Sequence, residues 1–333
     1  MKAAQINKYS KDINIIVRDI PIPEISDDEV LVKVKAAAVN PLEILILTGS
    51  VRLIQDYKMP LTLGNEFSGV VEKIGKNVKD FKIGDKVYTR MPIEKIGAFA
   101  DYAAVDSKFL SLMPNNCDFS SAAAIPLTAL TAYQAFKEEL EAKSGETVLI
   151  TGGSGSFGEM AVPIAKYLGL NVIVSGNDRV KEHFVSLGTD KYIDYRKENY
   201  WEAVSNVDYV IDTLGAKEFD KELSVLKKGG RILSLRTSPN KKFAEDNKFP
   251  FLKRVLFSFA GSKYDKKAMK EGKEYRFMFV RADGEQLKEI TKIVEKKNIK
   301  PKIFTKVFSI DNTEEAIKTI SKGGIEGKII ISI

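Results

Sequence analysis

Three glycines carry the clearest chemical content in this chain. Gly153, Gly155 and Gly158 stand in Gly153-Ser154-Gly155-Ser156-Phe157-Gly158, a G-x-G-x-x-G spacing. Each position has a steric reason to lack a side chain. The first makes a tight turn, the second lets the backbone approach a pyrophosphate, and the third lets a helix pack on a strand. The β-branched run Thr147 to Thr151 precedes the motif, a helix-forming segment to Leu168 follows it, and a second apolar run, Asn171 to Ser175, comes next. This is the spacing of a βαβ unit. The motif therefore reads as a dinucleotide site, with the anion at a helix N-terminus where unpaired N–H groups favour negative charge. Ser154, Ser156 and Phe157 belong to the same turn.

The second strand ends Val174-Ser175-Gly176-Asn177, with no carboxylate at its tip, and Arg179 and Lys181 follow. A site for NADH usually places Asp or Glu there to accept the ribose 2′-hydroxyl. Ser175, Gly176, Asn177, Arg179 and Lys181 instead suit a 2′-phosphate, so the expected cofactor is NADPH. Asp178 stands among them and opposes a phosphate unless it acts as an outward-facing helix cap.

One cysteine, Cys117, and one histidine, His183, exclude a zinc site built on Cys and His. No metal ligand is expected. His183 lies among Lys181, Glu182 and Phe184 and reads as a surface residue of a helix. Cys117, beside Pro114-Asn115-Asn116, reads as a small loop residue rather than a nucleophile. Without a metal, only hydrogen-bond donors can hold a charge that develops on a substrate oxygen.

The elements that must position these residues are legible as patterns. Residues 1–110 are short runs between turn residues: Val30 to Val34, Gly69 to Gly75, Gly84 to Tyr88 and Gly97 to Tyr102. They predict a β-rich, barrel-like domain. Near Ser120 the pattern turns helical. From 147 to about 281 strands and helices alternate, with strands at 147–151, 171–175, 207–212, 231–235 and 275–280, which predicts a doubly wound parallel sheet. Residues 240–272 form a basic, aromatic-containing insertion, residues 285–297 a helix, and Gly327 to Ile331 a closing strand. The expected division is 1–122 with 282–333 for one domain and 123–281 for the other.

Of 333 residues, 44% are hydrophobic and 29% charged, the composition of a globular protein. No run is long enough to span a membrane. The N-terminus has no signal-peptide core, and one cysteine fits a reducing compartment, so a cytoplasmic protein is expected. The net charge of +7 is spread along the chain. It suits phosphorylated small molecules better than nucleic acid, which usually needs a clustered basic patch.

Longer motifs add a family resemblance. Asn40-Pro41-Leu42-Glu43, Gly64-Asn65-Glu66-Phe67-Ser68-Gly69-Val70-Val71, Val78 to Val87 with its Phe81 and Gly84-Asp85, and Ala124-Ile125-Pro126-Leu127-Thr128 resemble the medium-chain dehydrogenase/reductase superfamily. The likeness lies on its zinc-independent quinone-oxidoreductase side. Phe277 to Leu287 and Glu326 to Ile331 are similar to the alkenal/enone reductase branch. The resemblance implies an α/β architecture: a GroES-like catalytic domain made of both chain ends, around a Rossmann NADPH-binding domain, with the active site in the cleft between them. It also implies a tyrosine contact to the 2′-phosphate from Tyr195, in Ile193-Asp194-Tyr195-Arg196. It extends the cofactor-binding set to Thr128, Leu214, Phe277, Phe279 and Lys328.

In the substrate site the resemblance points to Asn40. The family's nearby tyrosine position holds Leu45, so Tyr57 or Arg52 in the following loop is the candidate to approach the substrate carbonyl. The family's Gly-His-Glu histidine is replaced by Asn65. The implied partners are a quinone or an α,β-unsaturated carbonyl substrate and a second copy of the chain, joined through the strand at 275–280. Two alternatives stand beside this reading: an enoyl-thioester reductase, which leans on the tyrosine acid missing at Leu45, and a low-turnover NADPH-binding sensor or RNA-binding protein.

Overall fold

Short β-branched runs bounded by glycine and proline fold as strands at both chain ends, and longer alternation of strand and helix fills the middle. The computed structural model describes residues 1–333. In chain order the strands are β1 (Lys2–Ile6), β2 (Ile16–Asp19), β3 (Glu29–Val39), β4 (Leu61–Thr62), β5 (Glu66–Ile74), β6 (Lys86–Arg90), β7 (Tyr102–Asp106) and β8 (Ser111–Leu112). They continue as β9 (Thr147–Thr151), β10 (Asn171–Gly176), β11 (Lys191–Asp194), β12 (Val207–Asp212), β13 (Leu226–Ser234), β14 (Glu274–Phe277), β15 (Phe308–Ser309) and β16 (Ile329–Ser332).

Two units result: Met1–Leu130 with Arg281–Ile333, and Thr131–Val280. The first division falls inside the helix Pro126–Gln134 rather than after residue 122, and the second after Val280 rather than after 281. The early helical residues belong to the first unit because of their packing. Ala123 and Ala124 are buried against Ala36, Ala38 and Ile330. Small side chains on both partners let helix and sheet approach closely.

The first unit is organised around β3. It pairs antiparallel with β5, β7 and β16. The β16 pairing sets Ile329 opposite Val39, so the C-terminal strand delivers Lys328 to the residue after β3, which is Asn40. Asn40 is also the extended N-cap of the helix Pro41–Leu47, where proline occupies the first turn and the Glu43 carboxylate accepts the Asn40 N–H at 2.6 Å. The strand expected at 97–102 begins only at Tyr102, which is where the partner positions along β3 start, with Lys33 opposite Tyr102. Ahead of it only Ala100 bridges, to Ala3.

The second unit is a six-stranded sheet in the order β11-β10-β9-β12-β13-β14, with every adjacent pair parallel. The strand cores are continuous apolar runs, such as Val148-Leu149-Ile150, all fully buried, as expected for a sheet covered on both faces. Strand order reverses between β9 and β12, and such a switch point is where open α/β sheets bind ligands.

Two expectations change here. The strand expected over 275–280 is β14, Glu274–Phe277. It stops because its partner β13 ends at Ser234, opposite Phe277. Residues 240–272 are two helices, Lys241–Asp246 and Phe251–Lys270. Asn240 joins them. Its Oδ1 accepts the Phe243 N–H at 3.0 Å, and its Nδ2 donates to Asp265 Oδ1 at 2.8 Å and to the Tyr275 carbonyl at 3.2 Å. No helix is long and apolar enough to cross a membrane.

Candidate active site

The glycine turn shows a graded steric design. A Cβ on Gly158 would lie 1.7 Å from the Gly153 carbonyl oxygen, so the turn closes only on a bare Cα. A Cβ on Gly153 would lie 2.8 Å from Ile150 Cγ2. A Cβ on Gly155 would meet nothing within 4 Å. Packing therefore explains Gly153 and Gly158, whereas the open space at Gly155 is what a pyrophosphate needs. Gly155 caps the 12-residue helix Ser156–Tyr167 with extended backbone, so the free N–H groups of a full-length helix face that space.

The end of β10 is tied to the turn. The Gly153 N–H donates to the Ser175 carbonyl at 3.0 Å, and the Asn177 N–H donates to Ser154 Oγ at 3.2 Å. The Tyr195 N–H donates to the Gly176 carbonyl at 3.2 Å, which brings the residue after β11 beside the tip of β10. Tyr192 donates to the Asn177 carbonyl at 2.6 Å. Arg179, Lys181 and Tyr195 are exposed. Asn177 Oδ1 accepts the Arg179 N–H at 3.1 Å and orders the start of the basic segment. Asp178 is engaged by Lys197 at 2.7 Å, and this ion pair holds its carboxyl below the usual range. The acid that opposes a 2′-phosphate thus has its own counter-ion.

The remaining expected cofactor residues are distributed. The Leu214 N–H is held by Asp212 Oδ1 at 2.7 Å, and its side chain lies against Gly152. Phe277 packs edge-on to Phe243 with ring centres 5.1 Å apart, and Phe279 is half-buried. Thr128, in the first unit, donates to the carbonyls of Ala124 and Ile125. Lys328 lies in a buried network of the first unit, described next.

That network is built on Asn40. Its Nδ2 donates to Glu66 Oε1 at 2.8 Å, and Lys328 Nζ donates to its Oδ1 at 2.5 Å. Lys328 also lies 2.9 Å from Glu66 Oε1, and Glu66 Oε2 accepts the Leu127 N–H at 2.7 Å. Asn65 Nδ2 donates to Glu43 Oε1 at 2.7 Å. Asn40, Glu43, Asn65, Glu66 and Lys328 are all buried. Burial, opposed by the Asn65 and Asn40 hydrogen bonds, pushes the Glu43 carboxyl up to about 7.

Tyr57 is buried and its hydroxyl has no partner. Burial raises its pKa, so it stays a neutral phenol. Arg52 is not part of the buried network. Its guanidinium binds Asp56 at 3.0 Å and lies over the Tyr9 ring. The Tyr9 hydroxyl donates to Asp56 and accepts the Tyr57 N–H at 2.6 Å. Arg52 therefore acts on Tyr57 only through Asp56 and Tyr9.

Arg90, which sequence reasoning missed, is fully buried opposite Glu66 in the β5–β6 register. An arginine closing a strand beside polar residues reads as surface, and only the pairing of β6 with β5 reveals its burial. Cys117 is half-buried, and His183, expected at the surface, is half-buried beside the buried Glu159 carboxylate. Burial pushes the Cys117 thiol up to about 11, too high for a ready thiolate, and His183 Nε2 bonds Glu159 at 2.8 Å.

Residues 26–115 match the alcohol dehydrogenase GroES-like domain family, and residues 187–331 match the zinc-binding dehydrogenase family. The chain is 31% identical to 2-methylene-furan-3-one reductase of Solanum lycopersicum over 99% of this chain and 79% of that protein. It is 34% identical to the chloroplastic NADPH-dependent alkenal/one oxidoreductase of Arabidopsis thaliana over 77% of this chain and 68% of that protein. Among solved structures it is similar to the quinone oxidoreductase from Coxiella burnetii, with a TM-score of 0.84, 26% identity and coverage of 100% and 99%. The chain belongs to the medium-chain dehydrogenase/reductase superfamily, among its quinone and enone oxidoreductases. It is an oxidoreductase enzyme.

Proposed function

We propose that this enzyme reduces a quinone or the conjugated C=C of an α,β-unsaturated carbonyl with NADPH, and that it works without zinc. The observation that carries the reading is Asn40, a buried amide fixed on both sides by Glu66 and Lys328. In that geometry the Asn40 amide is preorganised to orient a polar substrate group rather than to bind a metal.

The residues present do not fit the zinc that the name of the second matching family suggests. No three His, Cys, Asp or Glu side chains gather as a ligand set. Asn65 stands where the resemblance expects histidine, and the Lys328 ammonium, within 2.9 Å of Glu66, already supplies that carboxylate with a cation. No step therefore runs through a metal.

The residues do fit NADPH. Gly155 leaves open space before a helix N-terminus, and Arg179, Lys181 and Tyr195 surround the acid-free tip of β10. Ser154, Ser156 and the N–H groups of the turn would take the pyrophosphate, and Asn177 with the basic side chains the 2′-phosphate. The bound cofactor supplies the hydride. Asn40 orients the substrate, Lys328 and Glu66 hold Asn40, and Tyr57 offers a neutral hydroxyl as donor. Arg52 positions Tyr57 through Asp56 and Tyr9.

The names of the two plant relatives and of the Coxiella burnetii neighbour support the substrate class. The edge strand β14, paired only with β13, supports a homodimer, because an open strand edge is a template for pairing. A single cysteine, which leaves no internal disulfide to form, supports a cytoplasmic setting. Metal-stripped protein with NADPH and an enal, an enone and a quinone tests the reading. Turnover that survives chelation supports it, and turnover that needs added zinc refutes it.

A further inference from the structure

Arg90 is a buried cation without a carboxylate of its own. It lies opposite Glu66 in the antiparallel β5–β6 register, so both side chains leave the same face of the sheet. Yet Glu66 already accepts from Asn40 and the Leu127 N–H and is paired with the Lys328 ammonium. Glu43 already accepts from Asn40 and Asn65. The guanidinium donates through Nη1 to the Met91 carbonyl, and its Nε and Nη2 are left with no partner. Burial lowers its pKa only to about 10, so it keeps its charge at neutral pH.

Two further unpartnered atoms belong to the same neighbourhood. The Tyr57 hydroxyl is close enough that it and Arg90 shift each other's protonation. Asn65 Oδ1 is also unpartnered, and the Asn65 carbonyl accepts the Met91 N–H at 2.7 Å. Unsatisfied buried donors are rare in folded proteins, and a buried charge is costly unless paired. Here two guanidinium nitrogens and one phenol O–H await an acceptor. A guanidinium fork suits an anionic oxygen.

We propose that Arg90, with the Tyr57 hydroxyl, forms the subsite that receives the substrate's carbonyl oxygen and stabilises it as it becomes an enolate or hydroquinone anion. The assignment rests on the reductase reading above. When hydride adds at the β-carbon, the substrate gains two electrons that NADPH loses. The C=C pair moves to form the new Cα=C bond, and the carbonyl π pair moves onto oxygen. A solvent proton then closes Cα. Arg90 acts on the oxygen that carries the charge between these events, where preorganised donors contribute most.

The test uses 4-nitrophenol, whose phenolate imitates that oxygen and is visible by colour. The probe is titrated with pH on the full-length, cofactor-free protein. Wild type should lower the pKa of the bound phenol by about one unit or more, as a nearby cation does. Arg90→Gln should abolish that shift and weaken phenolate binding about tenfold, one unit being a factor of ten. Arg90→Lys should keep part of both and stands in if the glutamine variant does not fold. NADPH affinity, read on the same proteins, should not change. An unshifted phenol on wild type, or equal phenolate binding by wild type and both variants, overturns the assignment and leaves Arg90 a structural cation solvated by water. Enone and quinone turnover by the same wild-type sample separates the two claims. Turnover with an unshifted phenol sinks only Arg90's role. No turnover on any substrate sinks the reductase reading and this assignment with it.

Discussion

Lys328 and Asn40 are 288 residues apart in sequence, yet Lys328 Nζ donates to Asn40 Oδ1 at 2.5 Å inside the first unit. The pairing of β16 with β3 makes that contact, and Glu66 completes it by accepting a hydrogen bond from Asn40 Nδ2 and pairing with the Lys328 ammonium. The Asn40 amide is thus held by the residue that leads into the last strand of the chain.

Lys328→Met leaves the Glu66 carboxylate buried without its cation. Removing one partner of a buried pair costs about 3–5 kcal/mol. The variant should lose stability on that scale in urea, and the double variant Lys328→Met/Glu66→Gln should recover most of it. Turnover should stay low in both, because Asn40 remains unfixed. Full turnover in the stable double variant would remove the network from catalysis.

Gly155 and Gly158 should separate binding from folding. Gly158→Ala drives a methyl into the Gly153 carbonyl and should unfold the turn. Gly155→Ala meets no protein atom, and its backbone φ of −105° suits alanine. It should melt like wild type and lose about tenfold or more in NADPH affinity, a loss of about 1.4 kcal/mol. Calorimetric melting and fluorescence titration check both halves.

Cofactor choice should depend on the Asp178–Lys197 pair. Arg179→Ala should weaken NADPH about tenfold or more, since a charge-assisted hydrogen bond contributes roughly 1.5–3 kcal/mol, and leave NADH unchanged. Lys197→Ala should also weaken NADPH, by freeing the Asp178 charge. Adding Asp178→Asn to it should restore binding. Paired NADPH and NADH titrations of these variants decide the matter, and a Lys197→Ala protein that binds NADPH normally contradicts it.

Stability should fall as pH rises through weak acid. Glu43 has a folded pKa of about 7 against 4.5 for the free side chain, so the folded state binds the extra proton. Its favourable contribution is complete below the unfolded value, declines from there, and is gone above about 7. The change amounts to about 3 kcal/mol at about 1.4 kcal/mol per unit. Urea midpoints at mildly acidic and mildly alkaline pH measure it, and Glu43→Gln should flatten the slope.

The cofactor half of the site was more legible in the sequence than the substrate half. Gly153, Gly155 and Gly158 act locally, and the strand–turn–helix that uses them is contiguous, so spacing alone exposes the design. The loss of carboxylate at the tip of β10 is equally local. By contrast, the contacts of Asn40 come from β5 and β16, and those pairings depend on sheet topology. Asn40 stands out through a motif, but the contacts of Lys328 and Glu66 that hold it emerge only from the register. Arg90 had no signal, because its burial depends on which strand lies beside it. The segment 240–272 was hard to read for another reason. Asn240 caps one helix while bonding Asp265 in the next, and Phe243 and Phe257 bury against each other across them. The pattern is tertiary rather than periodic.

The most direct test of the enzyme's function is NADPH oxidation by metal-stripped protein with a short 2-alkenal, an enone and a 1,4-quinone in parallel, comparing wild type with Asn40→Ala. NADPH-dependent turnover of at least one substrate, unaffected by chelator and sharply reduced in Asn40→Ala without loss of NADPH binding, is the expected result. Tight NADPH binding with no oxidation on any of the three, or turnover unchanged in Asn40→Ala, would contradict the assignment.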